Sequence, residues 1–163
     1  MNLERVRIQS EDFSLDDEWR RMRAGLGGGT GALAAFIGLV RDLGGDGESN
    51  LELEHYPGMT EDSIEAIVAR AEDRWDLSGA LVIHRIGLLR PTDQIVLVMC
   101  ASGHRAEAFA ACEFIMDFLK TDAVFWKKET GPHGSGWVES TQQDFDRAAG
   151  WRQRPNAGKS PRN

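Results

Sequence analysis

Six basic residues carry the chemistry legible in this sequence: Arg41, the pair His104–Arg105, and Lys120, Lys127 and Lys128. Five of them fall in one stretch, SGHRAEAFAACEFIMDFLKTDAVFWKKE, residues 102–129. His104 and Arg105 stand where a helix is expected to begin. Free backbone N–H groups and the positive end of the helix dipole favour an anion there, and a phosphate suits such a place. Arg41 follows an apolar run and offers a guanidinium, a rigid fork of donors, to the same class of ligand. Lys120 falls in the last turn of the expected helix. Lys127 follows seven residues later on a short strand, whose alternation puts Phe125 and Lys127 on one face and Trp126 and Lys128 on the other. A lysine that is partly desolvated, or held near other cations, loses basicity and can act as acid, base or nucleophile near neutral pH. The same residues also have structural uses, since a lysine at a helix C-terminus complements the dipole and paired lysines protect a sheet edge.

The elements that must position these residues follow from periodicity. Leu3–Ile8 alternates as a strand, and SEDFSLDDEWRRMR leads through cap residues and acids into a short helix. GLGGGTGA, residues 25–32, contains a nominal glycine fingerprint for dinucleotides, but it precedes a strand instead of following one and is expected to be a flexible connection. Residues 32–40 should form a mostly buried strand that delivers Arg41 to the loop DLGGDGESN. In that loop Asp42 and Asp46 do not make a calcium site, because Gly44 and Leu53 occupy its third and twelfth positions. A strand at 51–56, a helix at 61–75 with Ile64, Ile67, Val68 and Ala71 inward, and two central strands, LVIHRIG and IVLVMCAS joined by LLRPTDQ, come next.

The helix from His104 to Lys120 has Ala108, Cys112, Ile115 and Leu119 as its apolar stripe, widened by Phe109, Met116 and Phe118. Glu107, Glu113 and Asp117 fall on the side expected to be solvated. Trp137 and Val138 begin a last short strand, and DFDRAAGWR adds a helical turn. His55 and His84 lie within strands without ligand companions at metal spacing and are expected to be structural, whereas His133 sits in an exposed loop.

Composition narrows the function classes. A length of 163 residues with 41% hydrophobic content suits one domain, residues 1–150, followed by a basic tail at 151–163 expected to be disordered. A net charge of −7 argues against nucleic-acid partners. Cys100 and Cys112 lack CxxC spacing and read as buried free thiols, which fits a reducing cytoplasm. The N-terminus shows no apolar signal region and no run reaches membrane-spanning length, so no export and no membrane partner are expected.

Read together, FIGLVRD, LEHYPGM, VIHRIG, SGHR and FIMDFLKTDAVFWKKE resemble the large, catalytic subunit of molybdopterin synthase, in order from about Gly31 to Glu139. The element order by itself predicts an α+β domain with a mostly antiparallel or mixed sheet and two main helices, and the resemblance implies a hammerhead-like version of it. It also implies a homodimer within a heterotetramer, with a small ubiquitin-like sulfur carrier at each end whose C-terminal glycine thiocarboxylate enters the site. The substrate it implies is cyclic pyranopterin monophosphate, which receives two sulfurs to form the molybdopterin dithiolene, with no cofactor and no metal. Carried residue by residue, it implies Lys120 and Lys127 as catalytic, with Lys120 principal, and Leu39, Val40, Arg41, His104, Arg105, Lys128 and Glu129 as substrate-binding. The family's site borrows from the second catalytic subunit, yet around Ser140 and Thr141 this sequence has no arginine to lend. Two other readings compete: a non-catalytic module that docks a ubiquitin-like tail, and an unrelated phosphate-binding enzyme anchored at SGHR. The first would tolerate loss of both lysines, and the second leaves LEHYPGM, VIHRIG and WKKE unexplained.

Overall fold

The computed structural model describes residues 4–42, 44 and 49–156. In chain order the elements are β1 (Val6–Gln9), α1 (Leu15–Gly25), β2 (Ala32–Leu39), β3 (Asn50–His55), α2 (Met59–Arg74), β4 (Leu77–Arg85), β5 (Gly87–Leu89), β6 (Gln94–Ser102), α3 (Arg105–Thr121), β7 (Phe125–Gly131), β8 (Gly134–Val138) and α4 (Gln142–Gln153). The strands form two four-stranded sheets, β1-β4-β6-β2 and β5-β3-β7-β8. Only β1 and β4 pair in parallel; every other pairing is antiparallel. The fold is thus α+β with a mixed sheet, as expected, although the strands divide between two sheets and α1 and α4 are full helices beside the two main ones.

The densest core lies between the first sheet and α2, α3 and α4. Ile64, Ile67 and Val68 of α2 and Ala111, Ile115 and Phe118 of α3 meet Val82, Val98 and Cys100 there, all essentially sealed from solvent. Removing that apolar area from water supplies the main drive for folding. Phe13 and Met22 close the sheet's opposite face against Leu81, Ile83, Leu97 and Met99. Val40, Leu53 and Leu89 form a smaller cluster under the second sheet.

Several expectations change on contact with the structure. β2 is an edge strand with β6 as its single partner, so Phe36 and Leu39 are 41% and 53% exposed instead of buried. The glycine-rich connection is open at Gly27–Gly29 but closely packed at its end, where Gly31 N–H donates to the Ser102 carbonyl and a Cβ on Gly31 would stand 2.4 Å from the Gly103 carbonyl oxygen. Phe109 is 66% exposed and does not widen the apolar stripe of α3, whose inner face continues through Ala111 and Phe114.

Asp117, expected in solvent, is buried beneath α4, where it accepts from Trp151 Nε1 at 2.7 Å and Arg147 Nε at 2.9 Å. The helical turn expected near the C-terminus is a twelve-residue helix capped by Thr141. Because Trp151 at 4% exposure packs edge-on to Trp75 and Phe114, the packed chain runs to Gln153 and the domain limit placed at residue 150 moves outward. Of the expected tail, residues 157–163 lie outside the described residues, as do residues 43 and 45–48 of the loop after Arg41.

Candidate active site

The two sheets adjoin at one end of α3, and a recess with a volume of about 550 Å³ opens there. Segments from across the fold wall it, β3, β6 and β8 among them. The end of β2 brings Leu39, Val40 and Arg41; β4 brings His84; α3 brings Lys120; β7 brings Lys127 and Glu129; and the entry to α4 brings Ser140, Thr141 and Asp144. This size is typical of a small-molecule site.

Local structure fixes each wall. Val40 donates to the Asp93 carbonyl at 2.9 Å and accepts from Thr92 N–H at 2.8 Å, so the start of Arg41 is held. Thr92 achieves this at φ 74°, a costly conformation for a β-branched residue. In β7 the register pairs Leu53 with Lys127 and His55 with Phe125, so Lys127 and Phe125 face inward as the alternation requires. Ser140 Oγ donates to the Lys120 carbonyl, tying the last turn of α3 to the entry of α4. Thr141 and Asp144 then form a capping box, Thr141 N–H reaching Asp144 Oδ2 at 2.8 Å.

Electrostatics differ sharply among these groups. Burial, followed by the charge of Lys120, holds the Lys127 ammonium below the ordinary lysine range, against the opposing pull of Asp144 and Glu129. Burial alone would raise the Asp144 carboxyl, but hydrogen bonds from Thr141 and the two lysines outweigh it and bring it down. The cavity therefore holds a lysine whose charged form is disfavoured and a carboxylate whose charged form is favoured.

Both lysines also border a second recess of about 360 Å³, lined by Trp126, Trp137 and Phe145 among others. They stand at a junction of two openings.

Not every residue singled out from the sequence joins this site. Lys128 points to the outer face of the second sheet, 6.0 Å from the centre of the Trp137 ring. His104 is the N-cap of α3 with no side-chain cap bond, and Arg105 opens the helix, both exposed. From Arg105 to Lys120 the helix rises about 22 Å at 1.5 Å per residue. The register of β2 on β6, from Ala32 opposite Ser102 to Leu39 opposite Gln94, likewise puts Arg41 and His104 at opposite ends of a strand about 25 Å long. Within one chain, then, Arg41 does not share a phosphate with His104 and Arg105.

Asp144 and His84 are among the wall residues that the sequence did not mark as belonging to the site. The T-Q-Q-D spacing of a capping box was the available signal for Asp144. His84 had only its polar character in an apolar strand.

The chain matches the family model described as "MoaE protein" over residues 8–122. It is 57% identical to the molybdopterin synthase catalytic subunit of Ralstonia nicotianae over 147 residues, covering 90% of this chain and 83% of that one. Among solved structures, the molybdopterin cofactor biosynthesis protein E of Burkholderia multivorans is similar at a TM-score of 0.77 and 48% identity, covering 92% of this chain and 97% of that one. The molybdopterin synthase of Staphylococcus aureus is similar at a TM-score of 0.74 and 28% identity, covering 84% and 98%.

Proposed function

We propose a function from the premise that the chain belongs to the MoaE protein family: it is the catalytic subunit of a molybdopterin synthase, a sulfurtransferase of molybdenum cofactor biosynthesis. Sulfur comes from the thiocarboxylated C-terminus of a small ubiquitin-like carrier subunit and goes to cyclic pyranopterin monophosphate. The observation that carries the assignment of the site is that Lys120 and Lys127 border two adjoining recesses at once. A transfer between two ligands needs one group of residues accessible to both.

The chemistry asks for cations and for a proton acceptor. The thiocarboxylate and the substrate phosphate are both anions, and Arg41 with Lys120 offers them positive charge. Lys127, desolvated and beside Lys120, supplies an amine that releases and recovers a proton as bonds to sulfur form and break. Lys120, exposed at the junction, is the principal residue meeting the incoming tail. Leu39, Val40 and Glu129 line the substrate side. His104 and Arg105, about 22 Å from Lys120 along α3, serve the site of a second copy, within a heterotetramer of two catalytic and two carrier subunits. Two buried free cysteines are in keeping with a cytoplasmic location.

The test is reconstitution with thiocarboxylated carrier and cyclic pyranopterin monophosphate, reading dithiolene product. Lys120→Ala is expected to lose about 10²- to 10⁴-fold in rate with carrier binding retained, and Lys127→Ala to fall strongly with a larger effect on substrate binding. Wild-type chain that yields no dithiolene would overturn the function. Lys120→Arg transferring at the wild-type rate would reduce Lys120 to a fixed cation.

A further inference from the structure

His84 is the one histidine of the cavity wall, and its ring is held on three sides. Its Nδ1 lies 2.8 Å from the Arg85 carbonyl, which can only accept, so Nδ1 carries the proton and Nε2 presents a lone pair. Its plane stacks on Phe125 with ring centres 4.1 Å apart at 27°. Its backbone sits in register between Ile8 of β1 and Val96 of β6. The residue is 7% exposed, and Nε2 has no hydrogen-bond partner among the described residues. The only fully enclosed side-chain nitrogen or oxygen without a partner among those residues is Arg74 Nε, so the unpartnered Nε2 of His84 opens onto the cavity it lines.

Facing the same cavity is an unpartnered donor. Lys127 lies two residues beyond Phe125 on the same face of β7, about 7 Å along the strand. It lines the cavity with His84, and its Nζ has neither an ion pair nor a hydrogen bond among the described residues. A lysine head with three donors and a flexible stem shares the cavity with an acceptor locked in place by its neighbours, near enough for its charge to act on the ring.

We propose that His84 is a positioning residue: when the flexible Lys127 side chain swings toward it, its Nε2 accepts a hydrogen bond from Nζ and aims that amine at the reacting atoms. The inference rests on the proposed role of Lys127 in sulfur transfer. A carboxylate in this position would hold Lys127 as firmly but would also favour its charged form. The imidazole holds it without adding negative charge. Burial, together with the charges of Lys127 and Lys120, keeps that ring neutral down to about pH 4 despite its bond to Arg85.

The test compares two substitutions that mimic one ring nitrogen each. His84→Asn keeps a donor where Nδ1 was and removes the Nε2 acceptor. His84→Gln carries its amide oxygen out to the position of Nε2. Both lose the stack on Phe125, so a merely structural role would make them alike. Reconstituted sulfur transfer is expected to show kcat about tenfold lower for Asn, the loss of one hydrogen bond, and near wild type for Gln, with KM for substrate unchanged in both. Equal kcat for the two variants overturns the proposal.

Should neither variant fold, the wild-type chain with ¹⁵N-labelled imidazoles supplies the reading. The Nε2 resonance of His84 is expected to move when Lys127 is replaced by Ala, and an unmoved resonance overturns the proposal. These failures are distinct from failure of the function itself, which would show as wild-type chain that makes no dithiolene.

Discussion

At the scale of single residues, what sets this site apart is that charge and burial are distributed unequally over similar groups. Lys120 and Lys127 are the same side chain seven positions apart, yet Lys120 is exposed at the end of α3 while Lys127 sits inside the cavity with its ammonium disfavoured by burial first and by Lys120 second. Lys120→Ala should therefore raise the pKa of Lys127, leaving it still below 10.5 because burial remains. Asp144→Asn should move it the other way, since Asp144 is the leading charge that favours the ammonium. Titration of ¹³Cε-labelled lysines reads both shifts, and an unchanged Lys127 in both variants would contradict this account of its environment. The sequence made part of this legible. Alternation in FWKKE put Phe125 and Lys127 on one face, as the register with β3 bears out. The role of His84 was hidden, because its meaning depends on Phe125, 41 residues on in the chain, and on a cavity that exists only when two sheets adjoin.

At the scale of elements, α3 is the shaft of the site and α4 the strut that holds one wall. The sequence showed α3 plainly, since a long apolar stripe with a period near 3.6 is a local signal. It did not show α4 as a packed helix, because a mean composition this polar leaves only Ala148 and Trp151 buried. What anchors α4 is a polar contact: Asp117 of α3 receives Trp151 Nε1 and Arg147 Nε, while Glu113 receives Arg147 Nη2 at 3.0 Å. The same distance in sequence, about thirty residues, is why Asp117 read as a solvated acid.

Removing that acceptor strands a buried indole N–H, at a cost of about 1–3 kcal/mol. Asp117→Ala should lower the melting temperature by about 2–4 °C for each kcal/mol lost. Hydrogen exchange should quicken in α4, and sulfur transfer should fall because Thr141 and Asp144 no longer hold their wall. Asp117→Asn keeps an acceptor for Trp151 and should lose less. Unchanged melting and unchanged exchange in Asp117→Ala would show that apolar packing of Trp151 alone secures α4.

At the scale of the whole molecule, the distance between the two clusters of cations decides how many chains make a site. Arg41, Lys120 and Lys127 share one cavity, whereas His104 and Arg105 lie at the far end of α3, beside the close approach of Gly31 to Gly103. Rotation of side chains spans a few ångströms and cannot close a gap of about 22 Å along a rigid helix. If all these residues serve one substrate, the second cluster must come from another copy, and a two-fold arrangement makes the exchange reciprocal. That has a consequence which no single-chain site would share. A chain carrying Lys120→Ala and a chain carrying Arg105→Ala are each expected to be nearly inactive alone. Mixed by unfolding and refolding together in equal amounts, they form hybrids in which one of the two sites combines an intact Lys120 with an intact Arg105. With half of the dimers hybrid, about one site in four becomes active, so the mixture should recover about a quarter of wild-type sulfur transfer. Light scattering on the same sample checks that dimers have formed. A refolded, dimeric mixture no more active than its components would mean that Arg105 does not act on the partner's cavity, and the role of His104 and Arg105 would have to be sought outside the reaction.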